Sequence, residues 1–428
     1  MRIAYIAAGA AGMYCGSCLH DNTLARALMD LGEDVLLVPT YTPIRTDEVD
    51  VSQSRVFYGG INVYLQQKVP LFRHTPRWLD WLLDHPRLLN WATRGGPSID
   101  PAKLGDMTVS MLRGEEGHQR KELDKLVDWL VDEVKPDVVH LSNSMLIGFA
   151  RRIAQRGGPP VVCSLSGEDI FLEKLTPPHY DQARRLLSER TSDVAAFVSL
   201  NEYYANFMGD YLAVDRERMH VIPHGLDLDG HAPAHSPPER LVVGSLARIC
   251  HDKGLHLLVE ACEHLATIAP ELDFTLRAAG YVGKADEPYL REIEARVAKG
   301  PLAGRFQYVG ELDRRDKIKF LQSLTVFSLP TVYAESKGLP VLEAWANGLP
   351  VLLPDHGSFP EMVADTAGGV LHVAHDTHDL AGQLAELLAD AELRGELGRA
   401  GRQAVLDRYQ ASHMASAHLE LYRSLVRG

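Results

Sequence analysis

Cysteine is scarce in this sequence. Its five cysteines, Cys15, Cys18, Cys163, Cys250 and Cys262, are an odd and scattered set, unlike the dense pairing of a secreted disulfide framework. A basic excess is missing as well: 44 Lys and Arg stand against 57 Asp and Glu, a formal net charge of −13. That balance argues against a broad footprint on a nucleic-acid backbone, so no nucleic-acid partner is expected, and an anionic substrate has to be held by a few local cations and backbone amides. No apolar run approaches the roughly 18 residues that a membrane-spanning helix needs. The opening "MRIAYIAAGAAG" carries one early Arg and is broken by glycines, which suits a first strand rather than a signal peptide. A cytoplasmic location is the expectation. With no short repeat and no low-complexity tract, what remains is globular material, 46% hydrophobic and 24% charged over 428 residues, enough for two domains with separate cores.

What is present is a rhythm of short apolar runs and helical patterns. A strand over Arg2 to Ala7, a loop bearing Gly9, Gly12 and Gly16, an amphipathic helix through Leu24 and Leu28, then Gly32 and the run "DVLLVP" make a βαβ unit. Such a unit sets the free amides of a helix at the carboxyl end of the first strand. "KPDVVHLS", "PPVVCSLSG" and "AAFVSLN" repeat the buried-strand signal, so the N-terminal region reads as α/β with a largely parallel sheet. Prolines, glycines and histidines from Pro223 to Pro238 mark a connection. Beyond it, "LVVGSLAR", "DFTLRAAGY", "RFQYVGEL", "TVFSLPT" and "LPVLLPD" alternate with helical patterns such as "GLHLLVEACEHLATI". Two doubly wound domains are expected, over 1–222 and 223–411. Ligands of open α/β sheets lie outside the carboxyl ends of the strands, so a cleft between two such domains is the expected site.

One loop gives that expectation its chemistry. In "TVFSLPTVYAESKGLPVLEAWANGLPVLLP", Pro340 suits the first turn of a helix, where its missing N–H costs nothing, and Gly348 suits the stop just past the helix end. Glu335 then falls in the loop before the helix and Glu343 about one turn inside it. Between them the amides of Lys337, Gly338 and Leu339 can point at an anion, helped by the helix dipole. Carboxylates for hydroxyl groups on either side of a phosphate cradle match a nucleotide sugar. The bland alternative makes Glu335 a surface acid at a helix start and Glu343 a solvated helix residue. Against it stands the apolar run "PVLEAWA", where an unpartnered carboxylate is expensive to bury.

These residues resemble the E-x7-E signature of family 4 of the retaining glycosyltransferases. The resemblance implies the GT-B fold: α/β, two facing Rossmann-like doubly wound domains with an interdomain cleft. It covers nearly the whole chain, with "GSLARICHDKG" similar to the family's diphosphate-binding segment, "VIPHGLD" to its linker, "LRAAG" and "YVGEL" to its nucleotide-side strands, and "DHGSFPEMV" to the stretch after the signature helix. The family implies that Arg248 and Lys253 hold the diphosphate, that Glu335 meets the donor sugar's hydroxyls and that Glu343 meets the ribose. Glu311 and Leu312, in the "YVGEL" stretch, are further donor-side candidates, as are Gly12 and Gly16 in the first glycine loop. Fixed cations at the leaving phosphate lower the barrier to cleavage at the anomeric carbon more than they stabilise the ground state. No metal and no cofactor beyond the nucleotide diphosphate sugar is implied. The acceptor is expected to be a glycan, a lipid-linked sugar or a small molecule. The last helix, from about 412 to 428, is expected to return to the first domain, as is common in the family.

The chain departs from the family in two places. Lys337 stands where an aromatic or small residue is usual, and Ser166, in "VVCSLSGEDIF", stands where many relatives have His. Ser166, Glu168 and Asp169 are therefore acceptor-side candidates, although "SGED" also reads as a plain helix start. Tyr64, in "VFYGGINVYLQQK", and Trp78, in the Trp- and Arg-rich run from Leu71 to Gly95, join them as an acceptor platform. The same run offers a peripheral contact with the inner face of a membrane, or simply two helices covering the sheet. Cys15-x-x-Cys18 matches a redox or half-zinc spacing but lacks the other half, and Asp227-Leu-Asp229 is read as linker. A dinucleotide oxidoreductase is disfavoured: Gly9, Gly12 and Gly16 do not make G-x-G-x-x-G, and "DVLLVPTY" ends without the ribose-binding acid. A catalytically silent relative and a nucleotide-sugar epimerase of the same fold are the remaining alternatives.

Overall fold

The computed structural model describes residues 1–9, 16–53, 67 and 101–427, apart from residue 237. The chain divides into two compact units, Met1–Gly225 with Ala411–Gly428, and Leu226–Gln410.

The first unit is built on a six-stranded sheet. Its strands are β1 (Arg2–Ala7), β2 (Asp34–Pro39), β3 (Val138–Leu141), β4 (Val161–Ser164), β5 (Ala196–Ser199) and β6 (Met219–Val221), in the order β2-β1-β3-β4-β5-β6 with every neighbouring pair parallel. Alternation explains why β1 reads as one unbroken apolar run. Ile3, Tyr5 and Ala7 enter a core on one face and Ala4 and Ile6 a core on the other, as expected for a parallel sheet covered on both sides. Helix α1 (Gly16–Asp30) differs from the amphipathic pattern expected of it. Beside Leu24 and Leu28 it buries His20, Asp21, Asn22 and Thr23. All four of these polar groups have partners: His20 Nδ1 meets His224 Nδ1 at 2.7 Å, Asp21 accepts from the Tyr5 hydroxyl at 2.8 Å, Asn22 bridges Val49 O and Val51 N, and Thr23 bonds Glu48. Burial of a polar face is tolerable on those terms. The C-terminal helix, Ala411–Arg427, adds Met414, Ala415, Leu419, Leu421 and Tyr422 to the core that holds Ile3 and Tyr5.

The second unit repeats the plan. Strands β7 (Leu241–Leu246), β8 (Phe274–Ala279), β9 (Phe306–Gly310), β10 (Val326–Ser328), β11 (Val351–Pro354) and β12 (Gly369–His372) lie in the order β12-β11-β10-β7-β8-β9, again all parallel. Both units are Rossmann-like. From β7 the chain winds outward through β8 and β9, then returns to the middle and winds the other way from β10. The β7–β10 pair is thus the point where strand order reverses, and such a reversal opens a crevice at the carboxyl ends of the two central strands. Helices α2 (Leu255–Ile268), α3 (Arg314–Gln322) and α4 (Leu339–Ala346) follow β7, β9 and β10. Trp345 of α4 is fully buried and donates its indole N–H to Gly368 O at 2.9 Å; burial of so large a side chain is worth about 1.5–3 kcal/mol.

Candidate active site

The loops that leave β7 and β10 are fastened to each other. Arg248 and Lys253 lie on the first, which ends in Gly254 at φ 74°. A Cβ there would sit 1.8 Å from Pro330 O, so only glycine allows so close an approach. On the other loop the Val332 amide donates to Asp252 O at 2.9 Å. This backbone join carries Lys253 to Glu335.

Glu335 is 5% exposed. Lys253 Nζ lies 2.6 Å from its Oε2, and the Tyr333 hydroxyl donates to the same oxygen at 2.8 Å. Lys253 also bonds the Tyr333 hydroxyl and stands over its ring, 4.9 Å from the centroid. Oε1 accepts from the Lys337 amide at 3.2 Å. Burial alone would push this carboxyl up, but the Lys253 ammonium, the bonds from Lys253 and Tyr333, and the charge of Lys337 outweigh it and hold the group at about 2. Burial likewise opposes the Lys253 charge, and Glu335 and Tyr333 reverse that, so the ammonium is held well above its ordinary range. The Tyr333 phenol is pushed up by burial and then by Glu335. A permanently charged pair joined by a neutral phenol is the result. The backbone of Glu335 is held from the loop after β11: Ser358 N–H donates to Glu335 O at 2.8 Å, and Gly357, at φ 64°, comes so near that a Cβ would lie 2.5 Å from Glu335 N. His356 of that loop meets Thr331 Oγ1 at 3.3 Å.

Gly338, at φ 65°, starts α4, with Pro340 in its first turn. Lys337, Gly338 and Leu339 therefore sit at the helix start, with the Lys337 amide spent on Glu335. Glu343 projects from α4 with its side chain 6% exposed, and Lys317 Nζ of α3 lies 2.5 Å from its Oε1. The buried acid has a protein partner. Arg248 donates to Asp286 at 2.9 Å, from the loop after β8, and keeps a half-exposed side chain. Glu311 is exposed and Leu312 half-buried just past β9. Tyr333, Asp286 and Lys317 are not among the residues singled out from sequence.

In the first unit, Gly16 is the first residue of α1. Glu168 ties two loops at the carboxyl ends of β3 and β4: its Oε1 accepts from Ser144 N at 2.9 Å and Ser144 Oγ at 2.7 Å, its Oε2 from Ser166 N at 2.6 Å. Asp169 accepts from the Tyr204 hydroxyl at 2.6 Å, and burial pushes its carboxyl up despite that bond. Gly12, Cys15, Tyr64 and Trp78 lie outside the described residues. Asp227 and Asp229 form a tight turn, Asp229 N to Asp227 Oδ1 at 3.0 Å, with Arg314 on both their carbonyls. Among the described residues, no group of three or more His, Cys, Asp or Glu is placed to hold a metal ion, and no helix is long and apolar enough to cross a membrane.

A family model described as "Glycosyl transferase 4-like domain" matches residues 22–225, and one described as "Glycosyl transferases group 1" matches residues 231–404. D-inositol 3-phosphate glycosyltransferase of Jonesia denitrificans is 30% identical over 347 residues, 75% of this chain and 76% of that relative. Alpha-maltose-1-phosphate synthase of Mycolicibacterium smegmatis is 34% identical over 238 residues, 50% of this chain and 59% of that relative. Among solved structures, Anabaena HepE in complex with UDP aligns over 99% of this chain and 100% of its own, with a TM-score of 0.69 at 16% identity, a likeness of fold.

Proposed function

The chain belongs to the group 1 and 4-like glycosyl transferases, and on that premise we propose that it moves a sugar from a nucleoside diphosphate sugar to an acceptor hydroxyl, with retention of anomeric configuration and without a metal. The observation that supports this most is the Lys253–Tyr333–Glu335 cluster at the reversal point between β7 and β10, where a doubly wound sheet binds its ligand.

The residues divide the work as follows. The Lys253 side chain is 23% exposed, and an ammonium has three donors; with two given to Glu335 and Tyr333, the third faces a phosphate oxygen. Arg248 supplies the second cation, and the amides at the start of α4 complete the cradle. When the bond between the anomeric carbon and the phosphate oxygen breaks, these groups take up the charge left on phosphate. The acceptor oxygen bonds to the anomeric carbon on the same face, and its proton passes to the departing phosphate. Glu335 serves as an ionised acceptor for the sugar's hydroxyls: a carboxyl held at about 2 has no proton to donate near neutrality. Glu343 is assigned to the ribose, with Lys317 paired to its Oε1. The acceptor is a glycan, a lipid-linked sugar or a small molecule, read on the side of Ser166, Glu168 and Asp169.

The first test is a thermal-shift series with UDP, GDP and ADP, since a ligand that binds only the native state raises its stability. UDP leads the series because it is the nucleotide in the HepE complex. Turnover of the matching sugar nucleotides, with the anomer of the product read by NMR, then decides the rest. Binding without turnover of any donor favours a silent relative, for which Ser166 is the best support; an inverted product removes the retaining assignment.

A further inference from the structure

We propose that Tyr333 is a positioning residue for sugar transfer: its hydroxyl fixes the Lys253 ammonium against one oxygen of Glu335, so that Glu335 turns its other oxygen to the donor sugar. The proposal rests on the glycosyl-transfer reading above. Its basis is the unequal loading of the two carboxylate oxygens. Oε2 receives Lys253 at 2.6 Å and Tyr333 at 2.8 Å, whereas Oε1 receives the Lys337 amide at 3.2 Å. An ionised carboxylate has about four lone-pair sites, so the remaining capacity of Glu335 lies mainly on Oε1.

The residue type fits that task. A phenol both donates and accepts, and here it donates to the carboxylate while accepting from the ammonium. Burial and Glu335 keep it protonated, so the donor is always present. Phenylalanine would keep the ring under Lys253 and lose only the bridge. The two loops would stay joined through Val332 N to Asp252 O and through the close approach of Gly254 to Pro330, so the fold does not depend on the hydroxyl.

The experiment is a cycle of Tyr333→Phe, Glu335→Gln and the double variant in the full chain. Each is assayed with the sugar nucleotide that the wild type turns over, and for binding of the corresponding nucleoside diphosphate by calorimetry. Tyr333→Phe is expected to lower kcat by about tenfold to a hundredfold, the range for a hydrogen bond to charged groups. KM and nucleoside diphosphate affinity should stay close to wild type while kcat falls, a split that a general loss of folded protein would not produce. The double variant should be no slower than Glu335→Gln by more than about twofold, because residues acting as a unit are not additive. A kcat within twofold of wild type for Tyr333→Phe, or losses that multiply in the double variant, overturns the positioning role while leaving the transferase reading intact. A wild-type chain that turns over no sugar nucleotide overturns both, and that result is visible before any variant is made.

Discussion

Removing Lys317 tests how the second unit tolerates an acid in its interior. Glu343 and Lys317 are 6% and 10% exposed at the side chain and 2.5 Å apart. Lys317→Ala would leave a buried carboxylate with its ion-pair partner gone. Breaking one side of a buried pair costs about 3–5 kcal/mol, whereas exchanging both members for apolar residues of similar volume is often neutral or stabilising. For a domain the size of Leu226–Gln410, each kcal/mol moves the unfolding temperature by about 2–4 °C. Lys317→Ala should therefore lower the transition of that unit by roughly 6–20 °C, and Lys317→Met with Glu343→Leu should restore most of it. Differential scanning calorimetry on the three proteins gives the comparison, with the transitions of the two units fitted separately. A shift below about 2 °C for Lys317→Ala, or a double variant less stable than the single one, would show that the pair is already solvated and that Glu343 needs no partner. If the double variant folds but binds nucleoside diphosphate much more weakly, the acid's role at the ribose is supported independently of its structural cost.

Three other outcomes are expected. Lys253→Ala should lower transfer by at least about two orders of magnitude, as loss of one preorganised charge-stabilising group does elsewhere, with circular dichroism unchanged; near-normal turnover in a donor assay would remove Lys253 from the leaving-group role. The Glu335 carboxyl lies at about 2 in the fold against an ordinary 4.5, so its contribution is complete above pH 4.5 and fades as pH falls toward 2. Urea titrations across that window should show wild type losing on the order of 3 kcal/mol more than Glu335→Gln, and parallel curves would contradict the shift. Gly254→Ala should destabilise the protein by more than about 1 kcal/mol, since it combines a positive φ with a Cβ set against Pro330 O; it should also weaken donor binding, both read by thermal shift with and without the nucleotide.

The alternation of strands and helices was legible because buried parallel strands read as short apolar runs, and because Gly254, Gly338, Pro340 and Gly348 punctuate the loops that matter. β6 and β12 are not legible in the sequence: they are edge strands of three and four residues, and β12 holds only half-buried residues until His372, so neither leaves a periodic trace. The acids and cations of the site were legible from spacing around a helix start. Their partners were not. Asp286 lies 38 positions from Arg248, and Lys253 lies 82 from Glu335, separations that only the folded loops close. Lys317 did leave a signal: it shares its helix with buried Ile318, Phe320 and Leu321, and a lysine at a core register is a charge in need of a partner. Tyr333, two residues before Glu335, leaves no such signal, because a lone tyrosine in a loop carries neither a period nor a charge in need of a partner.

The C-terminal helix carries a consequence for biosynthesis. Ile3 and Tyr5 emerge from the ribosome early, yet Met414, Leu419 and Tyr422, which cover them, are made only after all of Leu226–Gln410. The nascent chain thus carries an unfinished apolar face through the whole synthesis of the second unit, in the way that exposes large proteins to aggregation before they are complete. A chain cut after Gln410 should therefore leave Ile3 and Tyr5 without that cover.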